Sequence, residues 1–313
     1  MIPAIERLLV PDTAGDPMGG LKWTRRTTEK VSEELKFGGI AASPRTVARL
    51  LTDLGYSLRA NHKKLAARGS HPERNHQFEN IANIRHVFES QHAPVVSVDS
   101  KKKELIGPFK NAGAVWAKTP TPVNDHDFRS DAAGLATPYG VFDPQAKRGH
   151  VFVGTSHDTP AFAVDALVRW WTHDGRSRYA GAESILILAD GGGSNGSRLH
   201  AWKYELQTKL CDPFGLDVTV CHYPPGTSKW NPIEHRLFSE VSKNWAGKPL
   251  DSYQTMLNYI RTTRTKTGLV VGATLVEGDF PTGIKVPAKE MATLNLRRHD
   301  VLPAWNYTIA PRA

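Results

Sequence analysis

Three carboxylates in three different settings could do chemistry together. Asp99 closes the strand-like run APVVSVD, Asp190 closes SILILAD, and Glu234 sits in NPIEHRLFSEV, which has the pattern of a first helical turn. Carboxylates gathered from two strand ends and a facing helix offer the hard oxygen ligands that Mg²⁺ selects, with Mn²⁺ as a substitute. Two such ions can stabilise both the attacking and the leaving oxygen of an in-line displacement at phosphorus. Each acid also has a plainer explanation. An Asp at a strand end is an ordinary turn former, and Asp-Gly after a strand is an ordinary turn signal. Glu234 stands third in a helix that Asn231 can cap and Pro232 can open, where a Glu reaches back to the cap.

The residues around the acids narrow the chemistry. Gly191 and Gly196 have the G-x-x-x-x-G spacing of a nucleotide loop, but Ser197 and Arg198 stand where that loop needs Lys and then Ser or Thr. Those glycines suit the close approach of a DNA backbone instead. Lys101 and Lys102, after Asp99, and Lys229, ahead of Glu234, are candidate phosphate contacts. Cys211 and Cys221 have no C-x-x-C partner, which argues against zinc, and no G-x-S-x-G marks a covalent nucleophile. His157-Asp158 before Thr159-Pro160 reads as turn and cap chemistry, and Trp170 and Trp171 read as core.

The acids need a scaffold that brings them together. Strand patterns fall at 93–99, near 104–109 or 114–117, and at 150–156, 184–190 and 216–223. Helical patterns fall at 160–173, 197–210 and 232–245, and the polar stretch 118–149 stays unassigned. Fully apolar runs such as ILILA suit a central strand covered on both faces. The element order predicts an α/β fold over 91–250, a ribonuclease-H-like mixed sheet with helices on both faces. Residues 251–313 follow as a C-terminal extension with one helix near 251–264.

Upstream, the pattern divides into an irregular lead-in at 1–24, a helix-turn-helix segment at 25–70 and a linker helix at 71–90. Ser43 as cap and Pro44 at the first helical position open a second short helix. That helix places Val47, Leu50, Leu51 and Leu54 on one face and Arg45, Ala48, Arg49 and Thr52 on the other. Arg45, Thr46 and Arg49, with Lys63 and Lys64 beyond, are candidate DNA contacts. In the linker, Phe78, Ile81, Ile84 and Phe88 form an apolar stripe.

The charge distribution agrees with a polyanionic partner. The 313 residues carry a net +9, and Leu21–Phe88 holds thirteen Lys or Arg against six Asp or Glu, or +7 of that total. A basic block ahead of an acidic constellation suggests one part that grips double-stranded DNA and another that cuts it. No apolar run approaches the ~20 residues of a membrane span, and the N-terminus lacks the sections of a secretory signal. Two cysteines fit a reducing compartment, so a cytoplasmic, bacterial-type protein that joins the nucleoid through DNA is expected.

The segments VSVDSKKKE, ILADGGGSNGSR and PPGTSKWNPIEHRLFS resemble the three acidic motifs of insertion-sequence DDE transposases. The group with a Rhodopirellula-type transposase DDE domain is the most similar, with a distant mariner-like relation through NPIE. SPRTVARLLTDLGYSLRANHK and HPERNHQFENI also resemble that group, so the likeness spans about 17–313. It implies that Asp99, Asp190 and Glu234 are the catalytic, metal-binding triad, with 90 residues between the aspartates and 43 between Asp190 and Glu234. It further implies two Mg²⁺ ions, cleavage and transfer of DNA strands, and a homodimer on DNA. Two alternatives stand beside it: an N-terminally shortened, non-catalytic DNA-binding copy acting as repressor or remnant, and another ribonuclease-H-like nuclease.

Overall fold

The structure, a computed structural model, describes residues 1–9, 13–15, 22–24, 27–56 and 71–312. It divides into two compact units, Met1–Leu65 and Ala66–Ala313.

The first unit is a small helical cluster built from α1 (Ile2–Leu9), α2 (Thr28–Phe37) and α3 (Pro44–Asp53). An antiparallel ribbon, β1 (Thr13–Gly15) with β2 (Lys22–Thr24), accompanies them. Ser43 caps α3 as its sequence predicts, its Oγ accepting from the Thr46 amide at 3.2 Å. Val47 is buried with Val31 and Leu35 of α2, while Arg45, Ala48, Arg49 and Thr52 are exposed. One expectation is corrected here. The lead-in is helical over Ile2–Leu9, because Ala4, Ile5 and Leu8 form an apolar stripe that packs into the same core and buries Ile5 completely. Lys63 and Lys64 lie outside the described residues.

The second unit is built on a nine-stranded mixed sheet. Its strands are β3 (Val95–Ser100), β4 (Glu104–Ile106), β5 (Gly134–Asp143), β6 (Arg148–Gly154), β7 (Ser184–Asp190) and β8 (Asp217–Tyr223). β9 (Val270–Val276), β10 (Leu296–Arg298) and β11 (Asn306–Ile309) complete it. The spatial order is β10-β11-β8-β7-β3-β5-β6-β9, with β4 on β5. Its central five strands are antiparallel from β6 through β5 to β3, then parallel from β3 through β7 to β8. That is the ribonuclease-H-like arrangement the element order predicts.

Helices cover both faces. On one lie α5 (Pro160–Trp170) and the helix His200–Glu205, packed on Val96, Val98, Ile185 and Ile187, with Trp170 and Trp171 in the core. The other carries α4 (Arg74–Ser90), whose stripe of Phe78, Ile81, Ile84 and Phe88 meets Val95, Leu186 and Leu188. Beside α4 on that face sit the helical turns from Glu234 to Asn244 and the helix Tyr253–Thr262.

Two departures from the sequence reading concern this sheet. The ten-residue β5 lies inside the unassigned stretch, since Gly134, Pro138 and Gly140 read as loop residues in a chain segment that is in fact a paired strand. The residues from 251 onward, read as an extension, contribute β9, β10 and β11 to the same sheet. β11 pairs antiparallel with β8, and β9 pairs parallel with β6. Among the described residues no helix is long and apolar enough to cross a membrane.

Candidate active site

Strand register and periodicity together bring the two aspartates side by side. β3 and β7 are parallel, and their register pairs Ser97 with Leu188 and Val98 with Ala189. The next pair along is Asp99 and Asp190, on strands about 4.8 Å apart. Side chains alternate faces with a period of two, so Val95, Ser97 and Asp99 share a face with Leu186, Leu188 and Asp190. Both aspartates therefore leave the sheet on the side that α4 and the Glu234 helix cover.

Glu234 reaches that face through a close approach of helix to sheet. Gly140 lies opposite Asp99 on β5. A Cβ there would stand 2.7 Å from Ile233 Cδ1 and 2.8 Å from Phe238 Cε1, so only the missing side chain admits the helix at this depth. The turn Glu234–Phe238 has π-helical geometry, a local widening that often marks functional positions.

Asn231 ties the three elements, and its role differs from the predicted one. It does not cap the helix with its side chain. Its Nδ2 donates to Asp190 Oδ1 at 3.0 Å and to the Val98 carbonyl at 3.2 Å, and its Oδ1 accepts from Ser97 Oγ. Ser97 Oγ in turn accepts from the Ile233 amide at 3.0 Å. A buried amide, a hydroxyl and a backbone N–H thus lock the start of the Glu234 helix onto β3 and β7, with every polar group of the set satisfied.

The electrostatics of the acids follow from this crowding. Burial pushes the Asp99 carboxyl up to about 8, and the charge of Asp190, the charge of Glu234 and a side-chain hydrogen bond with Glu234 add to that. The Ser100 amide, donating to Asp99 Oδ1 at 2.8 Å, opposes it. Burial pushes Asp190 up to about 6, with Glu234 adding and the Asn231 hydrogen bond opposing. Negative charges packed this closely favour either a proton or a cation among them.

Asp99 and Asp190 line an open cleft of about 670 Å³, together with Ser100, Lys101–Lys103, Asp158, Gly191–Gly193, Pro224–Gly226 and Ser228. No His or Cys lines it, so its donors are hard oxygens of the kind Mg²⁺ and Mn²⁺ take. Among the described residues no three His, Cys, Asp or Glu side chains already surround a common point. Asp99 leans on Glu234, a contact an ion would replace, while Asn231 holds Asp190 through Oδ1. The residues fit a divalent cation by chemistry and by crowded charge.

The predicted phosphate contacts separate. Lys102 is exposed at the cleft, and Lys229 is exposed above the Trp230 ring. Lys101 is committed elsewhere: its Nζ pairs with Glu104 at 2.6 Å and sits 4.7 Å from the Trp245 ring centroid, leaving its side chain 11% exposed. The sequence reading took Asn231 only as a cap and passed over Ser97 and Gly140. The alternation in VVSVDS puts Ser97 and Asp99 on one face and could have flagged Ser97. Asn231 and Gly140 act through contacts across more than ninety residues of chain, which no local pattern reports.

The family model described as Rhodopirellula transposase DDE domain matches residues 4–311 of this chain. No curated protein matches. Among solved structures, the Mos1 transposase paired-end complex with left transposon end is similar at 14% identity and a TM-score of 0.42, over 83% of this chain and 69% of that one. The Mos1 Strand Transfer Complex aligns at 15% identity and 0.42, over 83% and 68%. The Mos1 mariner paired end complex with Mn aligns at 14% and 0.42, over 83% and 69%.

Proposed function

This chain belongs to the Rhodopirellula transposase DDE domain family, and on that premise we propose that it cleaves and joins DNA strands at the ends of an insertion sequence, with Asp99, Asp190 and Glu234 as its metal-binding acids. The observation that carries this reading is the pair of strand-end aspartates leaving one sheet face beside an open cleft with a basic rim, with the Glu234 helix packed over that same face. A pair of Mg²⁺ ions, or Mn²⁺ in their place, supplies Lewis-acid stabilisation at the attacking and leaving oxygens when bound.

The chain's own residues do the rest. Asp99, Asp190 and Glu234 would hold the ions through their carboxylate oxygens. Asn231 orients Asp190 from behind and holds the helix that carries Glu234. Gly192 and Gly193 have no neighbouring atom where a Cβ would stand, so a sugar-phosphate backbone can come close to Asp190. Lys102 and Lys103 at the cleft offer charge to the phosphates on either side. Exchange of one phosphodiester for another conserves the bond, so the reaction needs no nucleotide. Arg45, Thr46 and Arg49 on α3, with Lys63 and Lys64, serve DNA binding, and the working form is a dimer of this chain on two element ends.

A cleavage and joining assay on DNA carrying the element's own ends tests the reading. The protein with Mg²⁺ should nick and join those ends. Asp190→Asn should bind the same DNA within about twofold yet lose nicking by at least about 10³-fold, the scale of removing a central electrostatic group. Cleavage retained by Asp190→Asn would overturn the assignment. Cutting without joining would point to a nuclease of the same fold.

A further inference from the structure

The face of the sheet that α5 covers, opposite the acids, holds a positive charge that no acid balances. Lys203, in the helix His200–Glu205, keeps only 5% of its surface exposed. Its Nζ donates to the Ser197 carbonyl at 2.5 Å and lies 5.3 Å from the centroid of the Tyr307 ring. Among the described residues no carboxylate pairs with it, although a lysine this deeply buried ordinarily has one.

Strand register brings a second cation to the same place. Arg298 of β10 stands opposite Tyr307 of β11, and residues paired in this way share a face. Burial, and after it the charge of Arg298, lower the Lys203 ammonium from the ordinary lysine range. Arg298 gives one N–H, from Nη1, to the Pro303 carbonyl at 2.9 Å and keeps the rest of its fork. Two cations held together call for an anion between them.

Lys203, Arg298 and His200 line a pocket of about 250 Å³ whose other walls are Met291, Leu294 and Leu296. No acid lines it. A volume of this size is below that of pockets that enclose a whole small ligand, and suits one unit of a polymer. One wall is cationic and the other apolar, the division that the phosphate and sugar of a nucleic-acid backbone present. The pocket also lies beside the cleft. Gly191–Gly193 line the cleft, and the same loop runs on through Ser197, which Lys203 holds, to His200. From β7 to β10 is three strand spacings, or roughly 15 Å, which a duplex covers in about four or five base pairs.

We propose that this pocket is a second anchor for DNA, in which Lys203 and Arg298 share one backbone phosphate and the apolar wall takes the adjoining sugar. The inference rests on the reading of this chain as one that cleaves DNA strands, and it is independent of the metal. The Arg298 fork takes two oxygens of the phosphate, and Lys203 adds a point charge beneath them. A phosphate held here sets where the strand crosses Gly192 and Gly193, and so which phosphodiester reaches Asp190.

Binding of the full chain to a fluorescent duplex carrying an element end, in EDTA and between 50 and 200 mM salt, tests this without turnover. Arg298→Gln and Lys203→Met should each weaken binding about three- to tenfold, with circular dichroism showing both variants folded. Because both charges serve one phosphate, the double variant should lose less than the product of the two. Its salt slope should be shallower by about 1 rather than 2. Arg298 is exposed, so a second reading needs that variant alone. In duplexes with single methylphosphonates, each lacking one phosphate charge, one position should weaken the parent and leave Arg298→Gln unaffected. Parental affinity and slope in the variants, or losses that multiply with a slope shallower by about 2, would overturn the shared phosphate. A free phosphate would meet the same charges. Inorganic phosphate bound more tightly than about 1 mM by the parent and not by Arg298→Gln, with duplex binding untouched, would assign the pocket to that source and overturn the anchor. A parent that does not bind the duplex removes the DNA reading beneath the proposal, whereas duplex binding that neither variant changes removes the pocket alone.

Discussion

Burial and the charges of Asp190 and Glu234 let Asp99 keep a proton up to about pH 8, while Asp190 keeps one to about pH 6. In the unfolded chain both would lose it near pH 4. A carboxyl raised by folding favours the folded state at low pH, and that contribution is lost as pH rises through the folded value. His150 and His222 work the other way. Burial holds both near 4, so the folded chain refuses protons that the unfolded chain takes up below about pH 6.5. The extra protons on the folded aspartates and those on the unfolded histidines, to which His299 adds because burial lowers it too, oppose each other between about pH 4 and 6. Above pH 6.5 Asp99 is the carboxyl that still keeps its proton in the folded chain, so metal-free stability should decline by on the order of 2 kcal/mol towards pH 8. Chemical denaturation in EDTA across that range measures it. Asp99→Asn keeps the oxygen that accepts from Ser100 and removes the charge. It should flatten the decline and raise stability at pH 8 by about 1–2 kcal/mol while abolishing nicking, as expected where a site is kept at the expense of stability. An Asp99→Asn protein with the parental pH dependence would contradict the account of its carboxyl.

At the scale of elements, the decisive contact is the Glu234 helix against β5. Gly140→Ala would drive a methyl into Ile233 and Phe238, and overpacking of this kind is destabilising by about 1–3 kcal/mol. Because the same contact sets the depth of Glu234, cleavage should fall further than stability alone explains, and Gly140→Ala with Phe238→Leu should recover part of both. Melting temperature and nicking rate measured on the same preparations decide this. Asn231→Ala makes a related case: it orphans Ser97 and frees Asp190, and should weaken Mn²⁺ binding about 10–100-fold. The strands and helices around the acids are legible from periodicity, since ILILA, APVVSV and the helical spacing of 160–173 each announce their own element. β5 is not, because Pro138 and two glycines carry loop chemistry in a strand whose pairing comes from β3, β4 and β6. The alignment of Asp99 with Asp190 depends on a register between strands ninety residues apart, and the network at Asn231 on contacts to Ser97 and Val98 that span more than 130 residues. Sequence shows the acids and their elements, and only the packed sheet shows which face they share.

For the whole molecule, the charge is divided: the acids lie in the second unit, while Leu21–Phe88 holds most of the positive excess. DNA affinity that depends on neutralising phosphates falls with salt through counterion release. Binding to the element's ends should therefore weaken by at least about tenfold between 50 and 200 mM salt. Arg45→Ala with Arg49→Ala should shallow the salt slope by about 2 and leave Mn²⁺ affinity unchanged. A flat dependence would count against the basic segment as the grip on DNA, without touching the acids.

The central claim is that folding gathers Asp99, Asp190 and Glu234 around divalent cations. Anomalous diffraction from crystals grown with Mn²⁺ reads this directly. The account predicts strong peaks within about 2.2 Å of oxygens from all three carboxylates, replacing the Asp99–Glu234 hydrogen bond. Well-ordered Mn²⁺ peaks elsewhere, with the Asp99–Glu234 hydrogen bond intact, would contradict it.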